Sequence, residues 1–208
     1  MVKILYSPTK INYQSRYAKE ALIICLAFTN KKVKLNYNFS IRKNSSLTIV
    51  ILSLIKDSSQ IELVTKQNHD EANGKSLLMC KSLLDSKSRF SFLGNIEISK
   101  NGNGTKSYQR NENLILDKDS SVISQPSLSI LANNVFCTHG SFTSNLNRDE
   151  LYFLQTRGLS MDSAKNLLKQ GFLMSGLNYL LKEPEVNEKE FNSFSLKASQ
   201  YFGFKQEK

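Results

Sequence analysis

Cys137-Thr138-His139 is where this 208-residue chain sets two metal-competent side chains two positions apart. In an extended segment, residues i and i+2 point to one face, so a thiolate and an imidazole would emerge side by side. An imidazolium nearby would favour the thiolate, the form that binds metal. Two ligands leave a tetrahedral site half built. Any iron or cluster held there must take its other ligands from another chain or from a thiol cofactor. The same residues also read as a small buried cysteine beside a hydrogen-bonded histidine, and local spacing alone favours that structural reading.

The rest of the chain offers less chemistry. His69 and His139 are the only histidines, which argues against multi-histidine metal sites and hydrolytic triads. His69 lies in the polar stretch Gln67-Asn68-His69-Asp70-Glu71 and reads as a surface residue. Asn101 to Lys106 lacks the glycine spacing of a phosphate-binding loop and reads as a turn between strands. Residues 88 to 148 hold only Glu97, Glu112, Asp117 and Asp119 as acids, with no evident pairing for glycoside hydrolysis. Cys25 and Cys80 read as core residues. Three cysteines without a CxxC pair fit a reducing compartment.

The elements that must position Cys137 and His139 are strands. Between about residues 31 and 143 the apolar residues alternate or form short runs. Val33, Leu35, Tyr37 and Phe39 alternate. Leu47 to Ile55 is a continuous run, and Phe90, Phe92, Ile96 and Ile98 bracket Gly94 and Asn95. Leu114 to Leu116, Val122-Ile123, Leu128 to Leu131 and Val135 to Cys137 follow. Three of the last four begin about seven residues apart, near the spacing of successive sides in a coiled solenoid. The pattern by itself leaves a sandwich, a barrel and a β-solenoid open. Residues 1 to about 30 lack a clear strand period and are left open between irregular and helical structure.

Near residue 147 the period changes. Asn147 is placed to cap a helix with Glu150 at its third position, Leu151 and Leu154 share a face, and Gly158 supplies a left-handed stop. Ser160 begins a second helix carrying Ala164, Leu167, Leu168, Phe172 and Leu173. Pro184 marks a break, and Phe191, Phe194, Leu196, Tyr201 and Phe202 form a third helix. The expected division is a β region over 1–145 and a helical region over 146–208.

The formal charge of +10 raises nucleic-acid binding as a possibility. The basic residues are 22 Lys and only 6 Arg, spread along the chain without interleaved aromatics. Arg, the bidentate reader of phosphate and base edges, is the scarcer of the two, so compositional drift explains the charge better than a binding patch. The longest apolar runs fall short of the roughly 20 residues of a membrane-spanning helix. The first acid is Glu20, a faint trait of an organellar transit segment, but no cleavage signal or helical amphipathicity accompanies it.

The order of residues from about 65 to 182 adds what periodicity lacks. Tyr108-Gln109-Arg110-Asn111-Glu112-Asn113-Leu114-Ile115-Leu116, Pro126 through Gly140, and Leu151-Tyr152-Phe153-Leu154-Gln155-Thr156-Arg157-Gly158-Leu159 resemble the C-terminal half of the SufB/SufD family of Suf iron-sulfur cluster assembly proteins. The Ala-Asx-Asx-Val-x-Cys-x-His-Gly string followed by Phe-Leu-x-x-Arg-Gly is similar to SufD more than to SufB. Gly74 to Ile98 is similar to the preceding coils, less specifically.

The resemblance implies a mainly β fold, a right-handed parallel β-helix followed by a small C-terminal helical domain. It implies a non-enzymatic subunit that pairs with a SufB scaffold and docks a SufC ATPase, in a bacterial cytoplasm or a plastid stroma. His139 would face a transient iron-sulfur cluster shared with the partner, with Cys137 as companion. Leu151, Phe153, Leu154, Arg157, Gly158 and Phe172 would contact the ATPase, and a flavin in the complex is left open. Asn133-Asn134 and Ser129 replace acidic residues of the usual pattern. SufD chains are about twice this long, so a reduced subunit, half of a split protein and a degraded gene product are all consistent. The remaining alternative is a basic β-solenoid that binds nucleic acid or an acidic surface.

Overall fold

The computed structural model describes residues 1–182 and 187–204. Its strands are β1 (Val2–Tyr6), β2 (Lys10–Gln14), β3 (Lys19–Thr29), β4 (Lys32–Ser40), β5 (Ser46–Lys56), β6 (Gln60–His69), β7 (Lys75–Leu84), β8 (Arg89–Ile98), β9 (Lys106–Ile115), β10 (Ser121–Ile130) and β11 (Phe136–Asn145). The helices α1 (Arg148–Thr156) and α2 (Met161–Met174), a 3-10 segment (Ser175–Lys182) and α3 (Glu188–Tyr201) follow. The expected break at Pro184 lies outside the described residues.

Odd-numbered strands form one sheet in the order β1-β3-β5-β7-β9-β11, and even-numbered strands form a second in the order β10-β8-β6-β4-β2. Every pairing is parallel, which makes the chain a β-solenoid coiling through about five turns. Lys19 pairs with Ser46, Ser46 with Lys75, Lys75 with Lys106 and Lys106 with Phe136, steps of 27, 29, 31 and 30 residues. The seven-residue spacing read from the sequence is therefore not that of successive sides. Val122-Ile123 and Leu128 to Ile130 belong to the single strand β10. Residues 1 to 30, left open between irregular and helical structure, carry β1, β2 and β3.

The corners repeat for a conformational reason. Asn44, Asn73 and Gly104 occupy equivalent corner positions with φ of 57°, 59° and 77°, a region that Asn and Gly enter at low cost. Their amides bond the corner of the next turn, Asn44 to Ala72, Asn73 to Asn103 and Gly104 to Asn134. The Asn73 side chain also donates to that of Asn44 at 3.2 Å.

Between the sheets runs the lumen. Its early turns are apolar, with Leu22, Ile24, Leu26, Ile49, Ile51, Leu35, Tyr37, Phe39 and Leu63 in one buried cluster. The outer face of the odd-numbered sheet is covered by the C-terminal elements. There Ala21, Ile23, Cys25, Val50, Leu52 and Leu83 pack with Leu173, Leu177, Leu180, Ala198 and Phe202. Strands β3 and β5 are thus buried on both faces, which is why they read as continuous apolar runs rather than alternating ones. Cys25 faces the helices and Cys80 the lumen, and both are fully buried.

The helix ends follow the capping chemistry in the sequence, with one difference. The Asn147 side chain accepts from the Asp149 amide at 2.8 Å, not from Glu150. Gly158, at φ of 92°, closes α1, and Ser160 caps α2 by accepting from the Ser163 amide at 3.1 Å. No described helix is long and apolar enough to cross a membrane.

Candidate functional site

Strand β11 ends the odd-numbered sheet, and its register assigns each residue a face. Cys137 pairs with Ser107, His139 with Gln109, Ser141 with Asn111 and Thr143 with Asn113. Those four β9 residues are buried in the lumen, so Cys137, His139, Ser141 and Thr143 form the last lumen-facing lane. Nothing among the described residues stacks beyond it. His139 is exposed and Cys137 half-buried. Burial pushes the Cys137 thiol up, the opposite of the thiolate stabilisation expected from a neighbouring imidazolium. Cys137 therefore meets neutral pH as a thiol until a metal displaces its proton.

Beneath this lane the lumen is polar. Register aligns Leu22, Ile49, Leu78, Gln109 and His139 in one column, and Ile24, Ile51, Cys80, Asn111 and Ser141 in the next. Each column changes from hydrocarbon to polar groups on approaching the open end. The Asn111 amide crosses to Ser124 of β10 at 3.0 Å, and that of Asn113 reaches Thr143 at 3.2 Å. The Gln67 amide donates to the Gln109 carbonyl at 3.3 Å. Gln67 Oε1, Gln109 Nε2, Asn111 Oδ1 and Asn113 Oδ1 are buried without a protein partner. Each such group costs about 1–3 kcal/mol unless a polar ligand or water reaches it. A polar interior just behind Cys137 and His139 suits charged or hydrogen-bonding cargo, not packing alone.

Sequence reasoning missed this lining. Ser107, Gln109, Asn111 and Asn113 alternate with period two, but polar residues at strand period look like a loop when apolar alternation is the signal. His69 was misplaced for the same reason. It is fully buried on β6, in the inward phase of Ile61, Leu63, Thr65 and Gln67, and is not a surface residue. Its Nε2 lies 2.9 Å from the Ser76 hydroxyl, which lies 2.7 Å from that of Ser107. Burial lowers its pKa to about 4.

The helical residues fall into a separate surface. Helix α1 has no buried residue; Phe153 is 56% exposed and Leu151 and Leu154 are half-buried. The Arg157 guanidinium lies 5.1 Å from the Phe153 ring centroid, and Gly158 follows in the left-handed turn. Phe172 lies on α2 beneath the Lys81 ammonium, 4.4 Å from its ring centroid. These residues do not join Cys137 and His139, and of them Phe172 alone lines the groove over β9 and β11, with Arg110, Glu112, Phe142, Glu150 and Leu167. Among the described residues, no three His, Cys, Asp or Glu side chains converge on a metal-sized site. Cys137 and His139 remain a two-ligand set.

A family profile described as SUF system FeS cluster assembly, SufBD core domain, matches residues 10–172. Among curated relatives, the iron-sulfur cluster assembly SufBD family protein slr0076 of Synechocystis is 27% identical over 159 residues, 76% of this chain and 34% of that protein. The iron-sulfur cluster assembly protein SufD of Escherichia coli is 25% identical over 130 residues, 62% of this chain and 31% of that protein. The SufBD family protein ycf24 of Galdieria sulphuraria is 23% identical over 164 residues, 79% of this chain and 70% of that protein. The chain thus spans about a third of the length of the first two.

Proposed function

The chain belongs to the SufBD family of SUF-system iron-sulfur cluster assembly proteins, and from that premise we propose that it is a SufD-like, non-catalytic assembly subunit. Its cargo is a nascent iron-sulfur cluster met at the open end of the solenoid. His139 offers an exposed imidazole and Cys137 a half-buried thiol on the last lumen-facing lane. A SufB-like scaffold closing that end supplies the ligands that two side chains cannot. The observation that carries this reading is the coincidence of an incomplete ligand pair with an uncovered sheet end and a polar interior behind it.

Each residue has a distinct task. His139 ligates through a ring nitrogen that needs no deprotonation when neutral. Cys137 gives up its proton on metal binding, and the raised thiol pKa makes its ligation pH-dependent. Asn111, Asn113 and Ser124 hold the strands behind the site, and Gln109 Nε2, the unpaired donor in the His139 column, is the group able to donate to sulfide or thiolate. A SufC-like ATPase docks on Leu151, Phe153, Leu154, Arg157, Gly158 and Phe172, so any nucleotide hydrolysis belongs to that partner. A reducing compartment, cytoplasm or plastid stroma, fits the free thiols.

The test is His139→Ala in a co-expressed complex with SufB-like and SufC-like partners. Cluster content, read from the visible absorption of the purified complex, should fall while subunit stoichiometry is kept. Unchanged cluster content would remove His139 from the site.

A further inference from the structure

Between the outer face of the odd-numbered sheet and α2 lies a cavity of about 730 Å³. Leu54 of β5 and Leu83 of β7, register neighbours and both buried, form its floor. Asn166, Lys169 and Gln170 face them from α2, at the three- and four-residue spacing of one helix face. Gly203, at φ of 70°, turns the chain after α3 so that Phe202 and Phe204 both reach the cavity, their ring centroids 6.1 Å apart. Lys56, the last residue of β5, lines the cavity together with Lys169. Both lysines are half-buried, and among the described residues neither ammonium has an ion pair or a hydrogen bond. Burial, the largest cause, holds Lys169 below the usual lysine pKa; Lys56 and Lys165 add to that effect, and Asp85 and Asp162 oppose it. Asp162 also lines the cavity, but it is exposed and its charge is screened by solvent. Two unpaired ammoniums, partly withdrawn from water, are an arrangement that folding alone does not reward.

We propose that this cavity binds one amphipathic anion, its carboxylate or phosphate head held between Lys56 and Lys169 and its aliphatic body laid against Leu116, Leu167 and Phe204. The volume is that of a small-molecule site, where an apolar lining is combined with a few polar groups that fix orientation. Charge dictates the head. A carboxylate or phosphate oxygen accepts charge-assisted hydrogen bonds from both ammoniums and replaces their mutual repulsion with attraction. The side-chain amides of Asn166 and Gln170 stand on the same wall and can donate to the head's remaining lone pairs. Uncovered hydrocarbon dictates the body, since Leu116 and Phe204 are half-buried and Leu167 is 49% exposed. A neutral ligand would leave the ammoniums unpaired, and a small inorganic anion would leave those three side chains wet. Neither Cys137, His139 nor any residue of the proposed ATPase contact lines the cavity, so ligand binding here is independent of the assembly role.

Isothermal titration of the full chain with decanoate, kept below its micelle concentration, should show one saturable site. Decyl phosphate supplies the other head, and the tighter of the two distinguishes a fatty acid from a phosphorylated lipid as the source. Decanol and decyltrimethylammonium, which carry the same chain, should bind at least about tenfold more weakly for want of the charge-assisted contacts. Octanoate, two methylenes shorter, should also bind about tenfold more weakly than decanoate. Lys169→Met keeps the stem and should weaken decanoate by about tenfold or more, while Lys169→Arg should retain most of the affinity. Lys165→Met changes the charge of the same helix outside the cavity and should bind as the parent does. Decanoate should raise the melting temperature of the parent and of Lys165→Met, but not that of Lys169→Met. Chemical footprinting needs no variant: decanoate should slow reductive methylation of Lys56 and Lys169 and leave that of Lys165 unchanged. Absence of saturable binding, several equal sites, decanol binding as tightly as decanoate, unchanged affinity in a folded Lys169→Met, or an unprotected Lys169 would each overturn the proposal.

Discussion

Gln109 and Gly94 occupy facing positions across the lumen, and a Cβ added at Gly94 would overlap the side-chain amide of Gln109. The glycine makes room for a glutamine that reaches from one sheet to the other and accepts from Gln67. Gly94→Ala should therefore destabilise the fold by about 1–3 kcal/mol, because it displaces a buried amide already short of partners. Combining it with Gln109→Ala should cost clearly less than the sum of the two single changes. Urea titrations of the four proteins would measure that coupling, and strict additivity would show that the two residues do not share the space.

His69 makes folding acid-sensitive. Its folded pKa of about 4 lies below the ordinary value of 6.5, because burial penalises the charged ring. Above pH 6.5 the ring is neutral in both states and the full stability is present. As pH falls from about 6.5 to about 4, the unfolded chain takes up a proton that the folded chain refuses, so stability declines. The decline attributable to His69 reaches about 3 kcal/mol at its limit. Denaturation midpoints across this range should fall less steeply for His69→Gln, and parallel curves for the two proteins would count against the assignment.

Lys81 fastens the helices to the solenoid. Its ammonium lies 2.7 Å from Glu112 and 2.8 Å from the Ser175 hydroxyl, with only 8% of the side chain exposed. Lys81→Met keeps the stem but leaves Glu112 with Arg110 alone, which sits 2.5 Å away. Losing one partner of a buried pair should cost about 3 kcal/mol. The loss should appear first as faster hydrogen exchange in α2 and the 3-10 segment, with β3, β5 and β7 still protected. Uniform loosening of the whole chain would show that Lys81 does not act at that junction.

How far the fold was legible in the sequence depended on which residues faced inward. Val33, Leu35, Tyr37 and Phe39 alternate because a hydrocarbon lumen takes every second side chain, and β4 follows directly from them. The helices were equally open to reading, since Asn147, Gly158 and Ser160 carry capping chemistry that is local. Strand β9 was visible only at Leu114 and Ile115, because its inward residues are Ser107, Gln109, Asn111 and Asn113. The first thirty residues failed differently: β3 is apolar on both faces and so has no period to detect. The positions of Cys137 and His139 could be quoted from a motif, but their place at an uncovered edge depends on pairings about thirty residues apart.

The three cysteines should separate by labelling. Cys25 and Cys80 are fully buried and their thiols are pushed up to about 12, so neither accessibility nor ionisation favours reaction. Cys137 is half-buried, and its thiol is raised by partial desolvation. Iodoacetamide at neutral pH should modify Cys137 first, more slowly than a free thiol and faster as pH rises, while Cys25 and Cys80 react only on unfolding. Peptide mass spectrometry resolves the sites. Modification of Cys25 or Cys80 in the folded protein at a rate matching Cys137 would show that the core does not shield them.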